Sequence, residues 1–193
     1  MKRIGIVGGT FNPVHKGHLA LAKAAQEQYA LDEVVFIPSG NPPHKTADTV
    51  ISKEERYAMV RLAIRGKKRW SASRLEIDRP GLSYAVDTFA ALRKKYGQRA
   101  QLFYIMGLDS LSEIRSWKKP LELFTLCEFI VATRPGTRGR ALPKEADKVH
   151  WLRLKEAVSA SEIRERLKQG RPVSRLVPKA IEEYINKRGL YQA

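Results

Sequence analysis

Short apolar runs alternate with helical stretches along nearly the whole chain, and this alternation constrains the fold more than any other feature. Residues 3–7, 34–37, 70–77, 102–106, 129–132 and 151–154 read as strands. Between them, 18–29 is rich in Ala and Leu with no Pro or Gly, which predicts a helix. Ser52-Lys53-Glu54-Glu55 is a capping box opening a helix to about Ile64, with Gly66 just beyond. A helix follows Ser83 and ends near Tyr96-Gly97, and another covers 121–127. Ser159-Ala160-Ser161-Glu162 reads as a second capping box, for a helix to Gln169. Pro178 starts the last helix and Gly189 closes it. Repeated β-α units of this kind imply an α/β fold: a doubly wound, mostly parallel sheet of about six strands with helices on both faces. With no linker or internal repeat, 1–193 reads as a single domain. Ligands of such sheets bind beyond the carboxyl ends of the strands, where strand order switches.

The stretch that leaves the first strand has that position: Gly8-Gly9-Thr10-Phe11-Asn12-Pro13-Val14-His15-Lys16-Gly17-His18-Leu19. Two glycines permit close backbone approach to a ligand. The helix opening near Gly17 offers N–H donors and a positive dipole end, which suits phosphate. His15 and His18 flank that helix start, where imidazoles can donate to phosphate oxygens. No G-K-[ST] follows the glycines, so the stretch is not a P-loop, and it is not a dinucleotide G-x-G-x-x-G. Two histidines without a nearby carboxylate or third imidazole make a poor metal site.

Other segments carry chemistry after later strands. Asn41 to Lys45 puts an amide, the His44 imidazole and the Lys45 ammonium on one proline-stiffened loop that can grip a mononucleotide phosphate. Gly107-Leu108-Asp109 reads as a turn placing a carboxylate right after a strand, as a ribose ligand or a helix cap. Trp117 offers a stacking face or plain packing. Ser159 and Ser161 open a helix with Arg164 one turn in, a candidate triphosphate clamp. Arg134-Pro135-Gly136 follows a strand and is a candidate wall for adenosine.

Charge adds a question. The net charge of +16 favours polyanions: nucleic acid, an anionic membrane or phosphorylated metabolites. A nucleic-acid module would interleave aromatics with Lys and Arg, or carry a basic recognition helix. The chain shows neither, and that reading leaves His15 and His18 unused. No apolar run approaches the roughly 18–20 residues of a membrane span, and the N-terminal stretch turns into glycines before a signal-peptide core develops. A cytoplasmic protein is expected, with neither membrane nor nucleic acid as partner and a homo-oligomer left open. The lone Cys127 excludes an intramolecular disulfide and a multi-thiolate zinc site.

With these residues in view, the chain resembles the nucleotidylyltransferases with the H-x-G-H signature, and within them the bacterial branch that adenylylates nicotinate mononucleotide. Beyond Gly8–Leu19, the resemblance rests on Pro42-Pro43-His44-Lys45, Ser83-Tyr84-Ala85-Val86-Asp87-Thr88, Met106-Gly107-Leu108-Asp109-Ser110 with Trp117, and Ser159-Ala160-Ser161-Glu162-Ile163-Arg164. These stand in family order and cover nearly the full length. The resemblance implies a Rossmann-like fold and transfer of AMP from ATP to nicotinate mononucleotide, in NAD biosynthesis. ATP would arrive with Mg²⁺ held mainly by its phosphates and water, with no protein metal site. Catalytic roles fall to His15, His18 and Lys45. Gly8, Gly9, Thr10, Phe11, Gly107, Asp109, Ser159, Ser161 and Arg164 would bind ATP, and Asn41, His44, Lys45, Tyr84, Ala85 and Trp117 the mononucleotide. Two departures stand out. Asn12 replaces the commoner Asp, and Ala85 replaces a threonine that helps hold the nicotinate carboxylate in the family. A sibling acceptor, such as nicotinamide mononucleotide, is the runner-up.

Overall fold

The computed structural model describes residues 1–43, 50–133, 146–154 and 158–192. Six strands, β1 (Lys2–Gly9), β2 (Glu33–Pro38), β3 (Trp70–Ala72), β4 (Ala100–Gly107), β5 (Glu128–Thr133) and β6 (Val149–Arg153), form one sheet in the order β3-β2-β1-β4-β5-β6. Every pairing is parallel. The order therefore reverses at β1, which lies between β2 and β4, and a crevice opens beyond their carboxyl ends. The helices are α1 (Lys16–Gln28), α2 (Lys53–Ala63), α3 (Ala85–Tyr96), α4 (Leu108–Ser112), α5 (Pro120–Leu126), α6 (Ala160–Lys168) and α7 (Lys179–Arg188).

Strand side chains alternate between two buried faces, which is why these strands read as continuous apolar runs. Val7, Phe36, Phe103, Ile105 and Ile130 face α1, α2, α6 and α7, where Ala22, Met59, Ile163 and Ile185 meet them. Ile4, Ile6, Val35, Leu102, Phe129 and Val131 face α3, α4 and α5 through Phe89, Leu92, Leu111 and Leu123. Phe36, Phe103 and Phe129 are fully buried, and each contributes about 1.5–3 kcal/mol by leaving water.

Three local expectations need correction. The strand expected over 70–77 ends at Ala72. After Ser73 donates its N–H to the Phe36 carbonyl, the Ser73 hydroxyl accepts from Leu75 N and the chain turns away. The turn carries Glu76 and Ile77 inward, against Gly40, where a Cβ would come within 2.1 Å of the Glu76 carbonyl oxygen. Gly107-Leu108-Asp109 is not a free turn, because Gly107 caps α4 and Asp109 sits in its first turn. The Ser159 hydroxyl does not cap α6. Glu162, its would-be reciprocal partner, pairs forward with Arg166 at 3.0 Å instead. The Ser52 cap does form, its hydroxyl accepting from Glu55 N at 3.2 Å.

Candidate active site

Gly8 and Gly9 end β1 and Gly107 ends β4, so the motif lies at the switch in strand order. Beyond them opens a cleft of about 290 Å³. Gly8, Gly9 and Thr10 form one side, and Tyr84, Ala85, Trp117 and Lys118 another, with Glu76 and Tyr104 also in the lining. A Cβ at Gly8 would crowd the Tyr104 ring, meeting its hydroxyl at 3.0 Å.

The two motif histidines form one unit. Their rings stack at 3.6 Å between centroids, 26° from parallel. The backbone N–H of His15 donates to Nδ1 of His18 at 3.2 Å, so the neutral His18 ring carries its proton on Nε2. Phe11 is buried and places its ring edge-on to His18 at 4.9 Å. Phe11 therefore meets the site through its packing on His18 rather than as part of the cleft lining. The helix start is partly committed: Lys16 N–H donates to Leu176 O, and His18 N–H to His15 O.

Of the other expected residues, Ala85 opens α3 and Tyr84 caps it, which sets the first turn of that helix against the cleft. Lys118 bonds Asp87 at 3.0 Å and lies 4.6 Å from the Tyr84 ring centre, closing that wall. Trp117 packs its ring 6.0 Å from that of Tyr104. Asn41 is exposed, but its peptide is pinned: Ser83 Oγ accepts from Asn41 N at 3.1 Å, and Asn41 O accepts from Ser83 N at 2.8 Å. Asp109 is exposed at the α4 start, and Gly107 stands before it. Arg164 is turned toward the motif, donating to the Asn12 carbonyl at 2.8 Å and to Ser161 Oγ at 3.2 Å. His44, Lys45 and Arg134-Pro135-Gly136 lie outside the described residues. Among the described residues no three His, Cys, Asp or Glu side chains gather into a metal-ligand group.

Sequence reading missed three polar residues that hold the site together. Arg56, 1% exposed, donates to Thr10 O at 2.8 Å, Gly40 O at 3.1 Å and Ile51 O at 3.1 Å. It ties the loops after β1 and β2 to α2, and burial lowers its pKa. Its signal was present: Arg56 shares the buried stripe of α2 with Met59, Val60 and Ala63. Glu76 is buried in the cleft lining and accepts from Thr88 Oγ1 at 2.6 Å. Burial pushes its carboxyl upward, opposed by hydroxyl donors Thr88, Ser83 and Ser39 and by the Arg79 charge. Ser39 follows β2, Ser83 precedes α3 and Thr88 stands within its first turns, so Glu76 joins the segment after β2 to the start of α3. The third is Tyr191, whose hydroxyl donates to Asn12 Oδ1 at 2.9 Å. Nothing local in the sequence links residues so far apart.

Comparison with known proteins agrees with this geometry. The cytidylyltransferase-like family model matches residues 6–166. A relative from Moorella thermoacetica, named a probable nicotinate-nucleotide adenylyltransferase, is 45% identical over 98% of this chain and 92% of its own length. One of the same name from Thermoanaerobacter sp. is 42% identical over 98% and 94%. Among solved structures, the Plasmodium falciparum nicotinic acid mononucleotide adenylyltransferase complexed with NaAD superposes with a TM-score of 0.82, covering 99% of this chain and 98% of that one, at 17% identity. That likeness is one of fold. The curated relatives and the family model together decide membership: the chain belongs to the cytidylyltransferase-like family and, within it, to the nicotinate-nucleotide adenylyltransferases.

Proposed function

We infer that the chain transfers the AMP moiety of ATP to nicotinate mononucleotide, giving deamido-NAD and pyrophosphate, a step of NAD biosynthesis. The observation that carries this reading is the cleft at the β1/β4 switch, which joins a glycine loop suited to phosphate with an aromatic wall suited to a ring. A phosphate oxygen of the mononucleotide attacks the α-phosphorus of ATP in line. One O–P bond forms, the bond to the β-phosphate oxygen breaks, and pyrophosphate leaves with the electron pair. The attacking oxygen is already ionised at pH 7, so no general base is required. Catalysis is then positioning and stabilisation of phosphoryl charge.

In this reading Gly8, Gly9, Thr10 and Phe11 form and support the ATP cradle. His15 and His18 face the triphosphate, His18 as the donor to the transition state. Asp109 takes ribose hydroxyls, and Ser159, Ser161 and Arg164 act at the far end of the phosphates. Tyr84, Ala85 and Trp117 hold the pyridine ring, while Asn41, His44 and Lys45 take the mononucleotide phosphate. Mg²⁺ enters as MgATP, part of the substrate. Residues 1–193 act as one catalytic domain, and we place the reaction in the cytoplasm. Nicotinamide mononucleotide is the competing acceptor, because Ala85 lacks the hydroxyl usual at its position. Pyrophosphate release from MgATP, measured with each mononucleotide, tests the reading. Release with the acid is expected. Release with neither, or faster release with the amide, overturns it.

A further inference from the structure

The loop between β1 and α1 contains a residue in an unfavourable conformation. Phe11 has φ +51, the left-handed region that disfavours a bulky side chain. Such a residue persists where its surroundings over-determine it, and it does so most often at functional sites. Here the carbonyls of the two residues that flank Phe11 are held from distant parts of the chain. Arg56 on α2 donates to Thr10 O at 2.8 Å, and Arg164 on α6 donates to Asn12 O at 2.8 Å. The Asn12 side chain, 3% exposed, receives Tyr191 OH at 2.9 Å and Ile51 N–H at 3.4 Å.

Tyr191 is itself unusual. It follows α7 with φ +64, so this hydroxyl too comes from a residue in the left-handed region. Burial pushes the phenol pKa up, against the pull of Arg164 and Arg56, so the hydroxyl keeps the proton it donates. One hydrogen bond thus joins a residue in the left-handed region, Tyr191, to Asn12, the residue that follows Phe11 in the motif.

We propose that Tyr191 is a positioning residue for the nucleotide: through Asn12 it holds residues 10–12 in the form that receives the triphosphate of ATP. This rests on the reading that the loop cradles ATP. The acceptor wall is carried by other elements, Tyr84 and Ala85 at the α3 start and Trp117 before α5. A positioning role therefore affects one substrate more than the other, whereas a general brace of the fold affects both alike.

Tyr191→Phe removes only the hydroxyl. The KM for MgATP should rise about fivefold, equivalent to about 1 kcal/mol, while that for nicotinate mononucleotide stays within about twofold. The melting temperature without ligand should hold, and the rise produced by MgATP should shrink. Asn12→Ala should raise the MgATP KM similarly, with the double variant no worse than the poorer single one. Equal rises in both KM values, unchanged KM values, or additive penalties overturn the proposal. So does a variant that melts earlier without ligand yet keeps the full MgATP-induced rise, since that is a brace alone. A natural chain that shows no MgATP-induced rise instead overturns the ATP reading, and this inference with it.

Discussion

His18 depends on its neighbours for its chemistry. The His15 N–H occupies its Nδ1, the His15 ring stacks on one face, and the Phe11 ring meets it edge-on. The proton of the neutral ring is thereby assigned to Nε2, which makes His18 a donor of fixed tautomer and fixed orientation. Donors of this kind lower a barrier because they are oriented before charge develops. His18→Ala should reduce turnover by at least about 100-fold, with circular dichroism unchanged. Near-normal turnover in a folded variant would remove His18 from the reaction. The histidines and glycines were legible because they form a contiguous string whose meaning is local. Glu76 and Tyr191 were not, because each acts on partners that only the fold brings near, while Arg56 showed only as a charge on the apolar stripe of α2. Glu76 in particular stood in a segment that alternation assigned to a strand.

Two helices carry consequences at their own scale. α7 is fastened to α2 through Glu55, which accepts from Tyr184 OH at 2.7 Å and from the Arg188 guanidinium at 3.1 Å. Arg188 first, then Tyr184, holds the Glu55 carboxyl below its ordinary 4.5. A carboxyl depressed by folding adds stability that is present above its unfolded pKa and is lost as pH falls through the folded value. Glu55→Gln should therefore flatten the acid arm of a stability-versus-pH curve below about pH 4.5. Parallel curves for the two proteins would show that the bond contributes nothing. At α3 the issue is specificity. Its first turn, opened by Ala85, borders the cleft. Backbone N–H groups there suit a carboxylate, which only accepts, and leave the NH₂ of an amide facing donors. The acid should be preferred by more than about tenfold in kcat/KM, and Ala85→Thr should widen the margin. Equal use of both acceptors by the natural sequence would assign specificity to the missing hydroxyl. Helix bodies were legible from periodicity and caps. The short β3 was not: as an edge strand pairing only with β2, it ends where Ser73 bends the chain, and no apolar pattern records that.

At the scale of the whole molecule, alternation predicted a parallel sheet but not the order of its strands, which depends on how the crossovers pack. That order centres β1 and β4 and buries both faces. It also encloses Cys127, the single thiol in the chain, which is 5% exposed with Sγ 3.5 Å from Leu123 O. Burial drives its pKa far upward, so the thiolate needed for alkylation is scarce while the fold holds. Iodoacetamide labelling at pH 8 should track global unfolding and accelerate steeply in denaturant. Labelling of the folded protein at the rate of a free thiol would mean that the α5–β5 corner opens locally. The contact between Asn12 and Tyr191 spans 179 residues. A ribosome adding about 5–20 residues per second needs roughly 9–36 s to cross that interval. All six strands emerge before it closes, since β6 ends at Arg153. A nascent chain can thus assemble its sheet while the nucleotide loop still awaits the hydrogen bond from Tyr191.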